Sequence, residues 1–398
     1  MFVPQGPTIP ASVSFSDMYV SLAKIKALIS SSNPIQQEIV LINGISSVAI
    51  TVDGLTAAVG VPSYSSSGAV YIYVNNGSNW VLQAGPLVGT GATGNAAQGT
   101  SVAISGNTVV VGGSNNNSDA GAIWIFTRSG TSWTQLAGPL VGTGAMSNAQ
   151  QGHSVAISDD QTTIVSGGFN DNSGLGAAWI FVYSGGTYIQ QTKLVATGYI
   201  GTSYIGFSVG ITGQAPSYTV ILGAPYDNDF GAAWIFVGIY GIWTQQTKLI
   251  PTDVVGSDPY FGWSVAINGS TAICGGPYDN DEIGATWVFD FDGIWTQTQK
   301  IIGTGITWGD SYQGYGQIAL SQDGSTMMIG GPYDTDDIGA LWIFKLINNV
   351  WVQQGTKFVT NINTVSLVDF TTGLACSGNG NVVVASSGNS VYFITFPA

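Results

Sequence analysis

Along this chain the apolar residues come in short runs closed by Gly, Asn or Ser, and one run keeps returning. It reads VAI at Val48, Val102, Val155 and Val265, VGI at Val209, IAL at Ile318 and LAC at Leu374. The intervals between these starts are 54, 53, 54, 56, 53 and 56 residues. A steady period of that size, filled with strand-length runs, predicts a β-propeller with one four-stranded blade per repeat. Seven copies predict an all-β, seven-bladed propeller with repeats starting near residues 48, 102, 155, 209, 265, 318 and 374.

The second repeat shows the grammar. GTSVAIS from Gly99 forms an inner strand, Gly106-Asn107 a turn, and TVVVGG from Thr108 a second strand. A polar loop from Ser114 leads to a third strand, GAIWIF from Gly121, and the hairpin RSGTS leads to an outer strand beginning at Trp133. Runs of β-branched and aromatic residues punctuated by Gly, Asn and Ser are strand and hairpin signals. In the third strand Ala122, Trp124 and Phe126 fall on one face, with Ile123 and Ile125 on the other. Two apolar faces predict a sheet packed between two neighbouring sheets. Small Ala and Ser in the inner strand suit a crowded axis.

Alignment of all repeats yields a ring of aromatics: Tyr71, Trp124, Trp179, Trp234, Trp287, Trp342 and Tyr392. A second set, Trp80, Trp133, Tyr188, Trp243, Trp295 and Trp351, marks the outer strands. The two sets hold ten of the twelve tryptophans. Because they recur blade after blade, core packing accounts for them better than ligand stacking.

The last repeat ends after its third strand, VYFITF, whereas IQQEIVLI from Ile35 resembles the outer strand TQQTKLI from Thr244. Residues 34–42 are therefore expected to supply the missing strand of the seventh blade and close the ring, which removes exposed sheet edges. The chain divides into a leader, residues 1–33, and a propeller, residues 34–398. In the leader Met18, Leu22, Ile25 and Ile29 recur at helical spacing behind Ser14 or Ser16, and Asn33-Pro34 ends the pattern. That helix is expected to serve as a docking or anchoring segment, or to cover one propeller face.

Charge narrows the partners. The chain carries 22 acidic residues against eight Lys plus Arg, a formal net charge of −14. Such a surface repels phosphates and anionic lipid, so no nucleic acid and no membrane insertion is expected, while a metal cation or a neutral glycan suits it. No apolar stretch is long enough to span a bilayer, and MFVPQGPTIPASVSF lacks the basic start and apolar core of a secretory signal. The expected setting is the inside of a cell, or the outside reached by another route such as a virus particle. The two cysteines, Cys274 and Cys376, replace apolar strand residues two blades apart and are expected to be buried free thiols.

Gly206-Phe-Ser-Val-Gly-Ile followed by Leu222-Gly-Ala-Pro, and Phe261-Gly-Trp-Ser-Val-Ala-Ile followed by Cys274-Gly-Gly-Pro, resemble the FG-GAP repeats of integrin-α-type propellers. The resemblance runs over roughly residues 44–396 and is best in blades 4 to 6. It implies a seven-bladed propeller used for adhesion and ligand binding. Members of that family often carry a calcium loop, DxDxDGxxD, between the first and second strands. Here those turns read TVDGLT, ISGNT, ISDDQTT, INGST, LSQDGST and SGNGN, with too few carboxylates for that cage. The leader phrase Val13-Ser-Phe-Ser-Asp-Met is similar to short leaders of some marine phage structural proteins.

Scarce residues exclude much chemistry. One histidine, His153, and one arginine, Arg128, rule out a multi-histidine metal site and an arginine triad for a sugar carboxylate. His153 fills the station held by Thr100, Phe207 and Trp263 in sister blades, which marks it as a ring residue rather than a base. The glycine-rich turns join strands and do not open helices, so they cradle no phosphate.

What breaks the repeat is the loop between strands 2 and 3 in blades 4 to 6, which reads PYDNDF, PYDNDEI and PYDTDDI. It supplies Tyr226, Asp227 and Asp229, then Tyr278, Asp279 and Asp281, then Tyr333, Asp334 and Asp336. Inter-blade linkers on the same face add Tyr204, Asp258, Tyr260, Trp308, Asp310, Tyr312 and Tyr315. Two readings stay open. Pro-Tyr-Asp-Asn-Asp is a good turn, in which Pro sets φ and Asp or Asn bonds to nearby backbone. Alternatively, the three loop triplets with Trp308 form a ligand site, rings stacking on sugar faces and carboxylates accepting from hydroxyls or holding calcium.

The expected function is a non-enzymatic structural and recognition module. Its expected setting is a virion appendage or decoration protein, with residues 1–33 docking to other virion or surface proteins and the blade 4–6 loop face meeting a glycan or host receptor. The alternative is a cell-surface or secreted FG-GAP adhesin or lectin that binds glycans, with or without calcium; no other cofactor is expected. A carbohydrate-active enzyme comes third, because nothing in the sequence shifts the acidity of the paired carboxylates.

Overall fold

The computed structural model describes residues 34–40, 44–146, 148–306, 310–359 and 373–396. The leader, with its expected helix, lies outside them, and so does Trp308. Seven four-stranded antiparallel sheets succeed one another. Each inner strand lies against the inner strands of the blades on either side, and the seventh lies against the first, so the ring is closed. In blade 2 the strands are Ser101–Ser105, Thr108–Gly113, Ala122–Ser129 and Ser132–Leu140, as the pattern predicts.

Ring closure follows the expected route. Ile35–Val40 pairs antiparallel with Ser390–Thr395, in the register Ile35 to Thr395 and Val40 to Ser390. The Glu38 carboxylate accepts from the hydroxyls of Ser390, at 2.8 Å, and Tyr392, at 3.0 Å. Gln37 then grips the first blade: its Nε2 donates to the Trp80 carbonyl at 2.8 Å and its Oε1 accepts from the Trp80 N–H at 2.7 Å. Gln299 makes the same pair with Trp351, at 3.4 and 2.8 Å, so the N-terminal strand behaves as an ordinary outer strand.

The two faces of each third strand go to different neighbours. Ala122, Trp124 and Phe126 pack with Val70 and Ile72 of blade 1, while Ile123 and Ile125 pack with Ile164 and Trp179 of blade 3. Trp124, Trp179, Trp234, Trp287 and Trp342 are all fully buried. Each takes ~150–250 Å² out of water, on the order of 4–6 kcal/mol of transfer free energy at ~25 cal/mol per Å².

The glycines of the FG and GAP phrases meet each other between blades. Gly262 has φ +88°, and its carbonyl abuts the α-carbon of Gly223 so closely that a Cβ on Gly223 would collide with it. The Ser208 hydroxyl donates to that same carbonyl at 2.9 Å. Ser47, Ser101 and Ser264 repeat this bond to Gly99, Gly152 and Gly314. The inner-strand serines therefore stitch successive blades together around the axis.

Candidate functional site

The loops between strands 2 and 3 and the inter-blade linkers lie side by side on one face, tied by parallel bridges from Gly231 to Phe261 and from Gly284 to Gln313. Each loop makes a single tight turn with left-handed residues: Asn228 and Asp229, Asn280 to Glu282, and Thr335 to Asp337 all have positive φ. Asn and Asp tolerate that conformation because a short polar side chain can bond locally. The turn reading of Pro-Tyr-Asp-Asn-Asp is thus realised in the backbone.

Within that turn the first carboxylate points inward. Asp227, Asp279 and Asp334 are 2%, 0% and 1% exposed. Asp279 Oδ1 accepts from the Val255 N–H at 2.7 Å, and Oδ2 pairs with Lys300 Nζ at 2.6 Å. Asp227 accepts from Ile200 N–H at 2.7 Å and Ser203 at 2.8 Å, and pairs with Lys248. Asp334 pairs with Lys357 at 2.6 Å, and in blade 3 Asp171 pairs with Lys193 at 2.6 Å. Lys248 and Lys300 also stand over the rings of Trp234 and Trp287, at 4.9 and 5.1 Å. The lysines donate onward to linker carbonyls, Lys300 to Asp253 O at 2.9 Å.

Loop, outer strand and ring tryptophan thus clamp the linker arriving from the preceding blade. Asp227, Asp279 and Asp334 have a different task from the ligand contacts expected of them, because their oxygens are spent inside the protein. The sequence did carry a signal for this. Lys193, Lys248, Lys300 and Lys357 occur in the blades whose loops offer an Asp, while blade 2 has Asn116 and Pro139 at those two stations.

The tyrosines stay at the surface, half-buried, and form one continuous ladder. Ring centres are 5.0 Å apart from Tyr204 to Tyr226 and from Tyr226 to Tyr260, and 4.9 Å from Tyr260 to Tyr278. Tyr278 to Tyr312 and Tyr312 to Tyr333 are each 5.1 Å. Linker and loop residues alternate along it. Tyr204, Tyr260 and Tyr312 have φ of 56°, 52° and 50°, but Ala97 and Gln150 at the same station have 54°, so this backbone strain belongs to the scaffold. A tyrosine at that station is what distinguishes the arc.

Two grooves of about 480 Å³ each repeat along the ladder. The first is walled by Tyr260 and Tyr278 with Asp258, Asp281, Glu282 and Asp310. The second is walled by Tyr312, Tyr315 and Tyr333 with Asp310, Asp336 and Asp337. Asp281 and Asp336 are exposed, as is Asp229 at the equivalent place in blade 4. Of the expected site residues, the structure therefore brings Tyr278, Tyr333, Asp281 and Asp336 into grooves and holds Tyr226 in the ladder.

Burial raises the phenols of Tyr226 and Tyr278, each helped by neighbouring tyrosines. Tyr312 is raised further, by burial and then by its bond to Glu282. All three are neutral hydrogen-bonding groups at neutral pH, not bases. His153 lies 4.5 Å from Phe169 and 4.9 Å from Phe207, and burial lowers it to about 4.

Among the described residues no three His, Cys, Asp or Glu side chains converge as a metal cage. At the turns where the FG-GAP calcium loop would fall, Asp53 Oδ1 accepts from the Leu55 N–H at 2.9 Å, and Asp323 Oδ1 accepts from Ser321 at 2.6 Å and from the Ser325 N–H at 2.9 Å. Those carboxylates close their own turns. No helix among the described residues is long and apolar enough to cross a membrane.

The closed ring of seven four-stranded blades makes this chain a seven-bladed β-propeller. Residues 243–289, from the outer strand of blade 4 through the third strand of blade 5, match the family model of the FG-GAP repeat. No curated protein matches the chain.

Proposed function

We propose that the protein is a non-enzymatic recognition module that binds carbohydrate along the tyrosine arc of blades 4 to 6. The observation that carries the reading is the pair of like grooves, each joining aromatic walls to exposed carboxylates. Ring faces stack on the C–H faces of sugars and carboxylates accept from hydroxyls, and two equivalent grooves on one rigid face favour a repeating ligand through effective concentration. The phenols, neutral at neutral pH, suit binding as hydrogen-bonding groups rather than proton abstraction.

A printed array of neutral and sialylated glycans, probed with the wild type and with Tyr278→Ala combined with Tyr312→Ala, tests this. Wild-type binding that the double variant loses supports the arc, and a silent wild type overturns it. The setting proposed for the module is a virion appendage, with residues 1–33 docking to other virion or surface proteins. What supports that setting is the likeness of residues 13–18 to phage structural leaders.

A further inference from the structure

The propeller axis holds a cavity of about 390 Å³, within the range of small-molecule sites. Its upper wall comes from the residue that follows the linker glycine in blades 2 to 6, Thr100, His153, Phe207, Trp263 and Tyr315, and from Ser46 in blade 1. The chemistry is lopsided. Blades 1 and 2 contribute hydroxyls, and blades 3 to 6 contribute a wall of rings in which Trp263 stacks on Tyr315 with centres 4.9 Å apart. The inner strands run from this rim toward the opposite face, so the wall below carries the inner-strand serines and Gln317 and then aliphatic side chains, beginning with Val48, Val102 and their counterparts.

The far end is barred. Asp159 and Gln322 sit in the first turns of blades 3 and 6, on opposite sides of the ring. Gln322 Nε2 nevertheless donates to Asp159 Oδ2 at 2.7 Å, straight across the axis. Asn268 Nδ2 holds the backbone of that same turn, at 2.9 Å from Ser321 O and 2.6 Å from Gln322 O. To a ring as wide as a sugar the cavity is therefore a blind pit, with a smaller cavity of about 180 Å³ beyond the bridge against Leu320 and Cys376. The pit opens on the face that carries the tyrosine arc, and Tyr315 is shared between the pit and the second groove.

Among the described residues no Asp, Glu, Lys or Arg lines the pit's wall, and the charged group at its far end, Asp159, is a carboxylate. Outside its mouth stand Asp258, Asp310 and Asp336, all exposed, on a protein of net charge −14. Four of the eight cationic Lys and Arg side chains are committed to the linker clamps. An anionic sugar would meet repulsion at the mouth and no counter-charge inside. An uncharged one meets a ring wall for its C–H face and hydroxyls on the other side.

We propose that the pit is a terminal-unit subsite, taking the last, uncharged monosaccharide of a glycan whose chain lies across the tyrosine arc. A blind pit admits an end and not the middle of a chain, so the protein reads chain termini. This inference rests on the carbohydrate reading of the arc, and its test separates the two.

Thr100→Trp fills the pit from the hydroxyl side, using a residue that Trp263 shows this station accepts. Ser46→Trp fills it from the neighbouring blade and serves as the second variant if the first lowers the melting temperature. On the same printed array, the wild type is expected to bind neutral-ended glycans and to ignore their sialylated forms. Each filled variant should weaken binding at least tenfold by titration with the tightest array ligand, with the melting temperature kept. If folded Thr100→Trp and Ser46→Trp bind as the wild type does, the pit is not a subsite, while the arc reading stands. Equal binding of sialylated and neutral ends also overturns the pit. A wild type that binds nothing on the array removes the carbohydrate reading and the pit with it.

Discussion

Lys300 Nζ lies 2.6 Å from Asp279 Oδ2 and 5.1 Å from the centre of the Trp287 ring, with the Asp279 side chain fully buried. An ion pair this deep gains little over an apolar pair, but breaking it strands a charge away from water. Asp279→Ala should therefore cost about 3–5 kcal/mol, read as a lower urea midpoint with an unchanged slope. A midpoint equal to wild type would show that Lys300 does not need its partner.

The exposed second carboxylates should behave differently. Asp281→Asn combined with Asp336→Asn keeps residues that accept the left-handed turn and leaves the clamps whole. Thermal unfolding should stay within a couple of degrees of wild type, while array binding falls. If binding is unchanged, these carboxylates do not face the ligand.

His153 confers a pH dependence. Its ordinary value is 6.5 and the folded value about 4, because burial among aromatic rings disfavours the imidazolium. Between these values the unfolded chain takes up a proton that the native chain refuses. Stability should thus fall as pH drops from 6.5 to 4, by on the order of 1–3 kcal/mol, and fall no further from this group below 4. His153→Phe, copying Phe207, should flatten that segment of the stability–pH curve. An unaltered slope would place the titration elsewhere.

Both thiols should be silent in the native state. Cys274 is fully buried and burial raises it strongly, while Cys376 is half-buried at the wall of the axial pit, short of the full burial expected of it, and is raised to about 12, first by desolvation and then by Asp323. The thiolate is the reactive form. A thiol-exchange dye at pH 8 should label neither cysteine until denaturant is added, and then both. Rapid native labelling would contradict the packing.

The two N-terminal segments should separate on truncation. Removing residues 1–33 should leave the unfolding transition in place, since Ile35–Val40 still pairs with Ser390–Thr395. Removing residues 1–40 exposes that strand and frees Trp80 from Gln37, and should lower the transition clearly. For the proposed virion role, the shorter truncation should fold yet fail to assemble into particles. Normal incorporation would end that role for the leader.

Much of the scaffold could be read along the chain because each blade answers the same packing problem. Trp124 and its sisters recur where a sheet needs bulk between two neighbours, and glycine recurs where Gly223 meets Gly262. The same regularity concealed the clamp. Asp227, Asp279 and Asp334 look like loop carboxylates in one dimension, and their lysines stand about 21 to 23 residues further on, in the outer strand or, for Lys357, just beyond it. Only the co-occurrence of Asp with Lys in blades 3 to 6 hinted at the pair.

By itself the sequence determined the blade count, the strand order within each blade, the two apolar faces and the strand that closes the ring. All follow from local period and alternation. The tertiary structure decided which polar groups face water. Direction of burial depends on neighbours far away in the chain, and folding turned the first Asp of each loop inward onto a lysine while leaving the tyrosines outside. It also created the axial pit, whose walls come from all seven blades and whose floor is barred by Gln322 and Asp159, 163 residues apart. No run of residues contains that pit, because only ring closure brings its parts together.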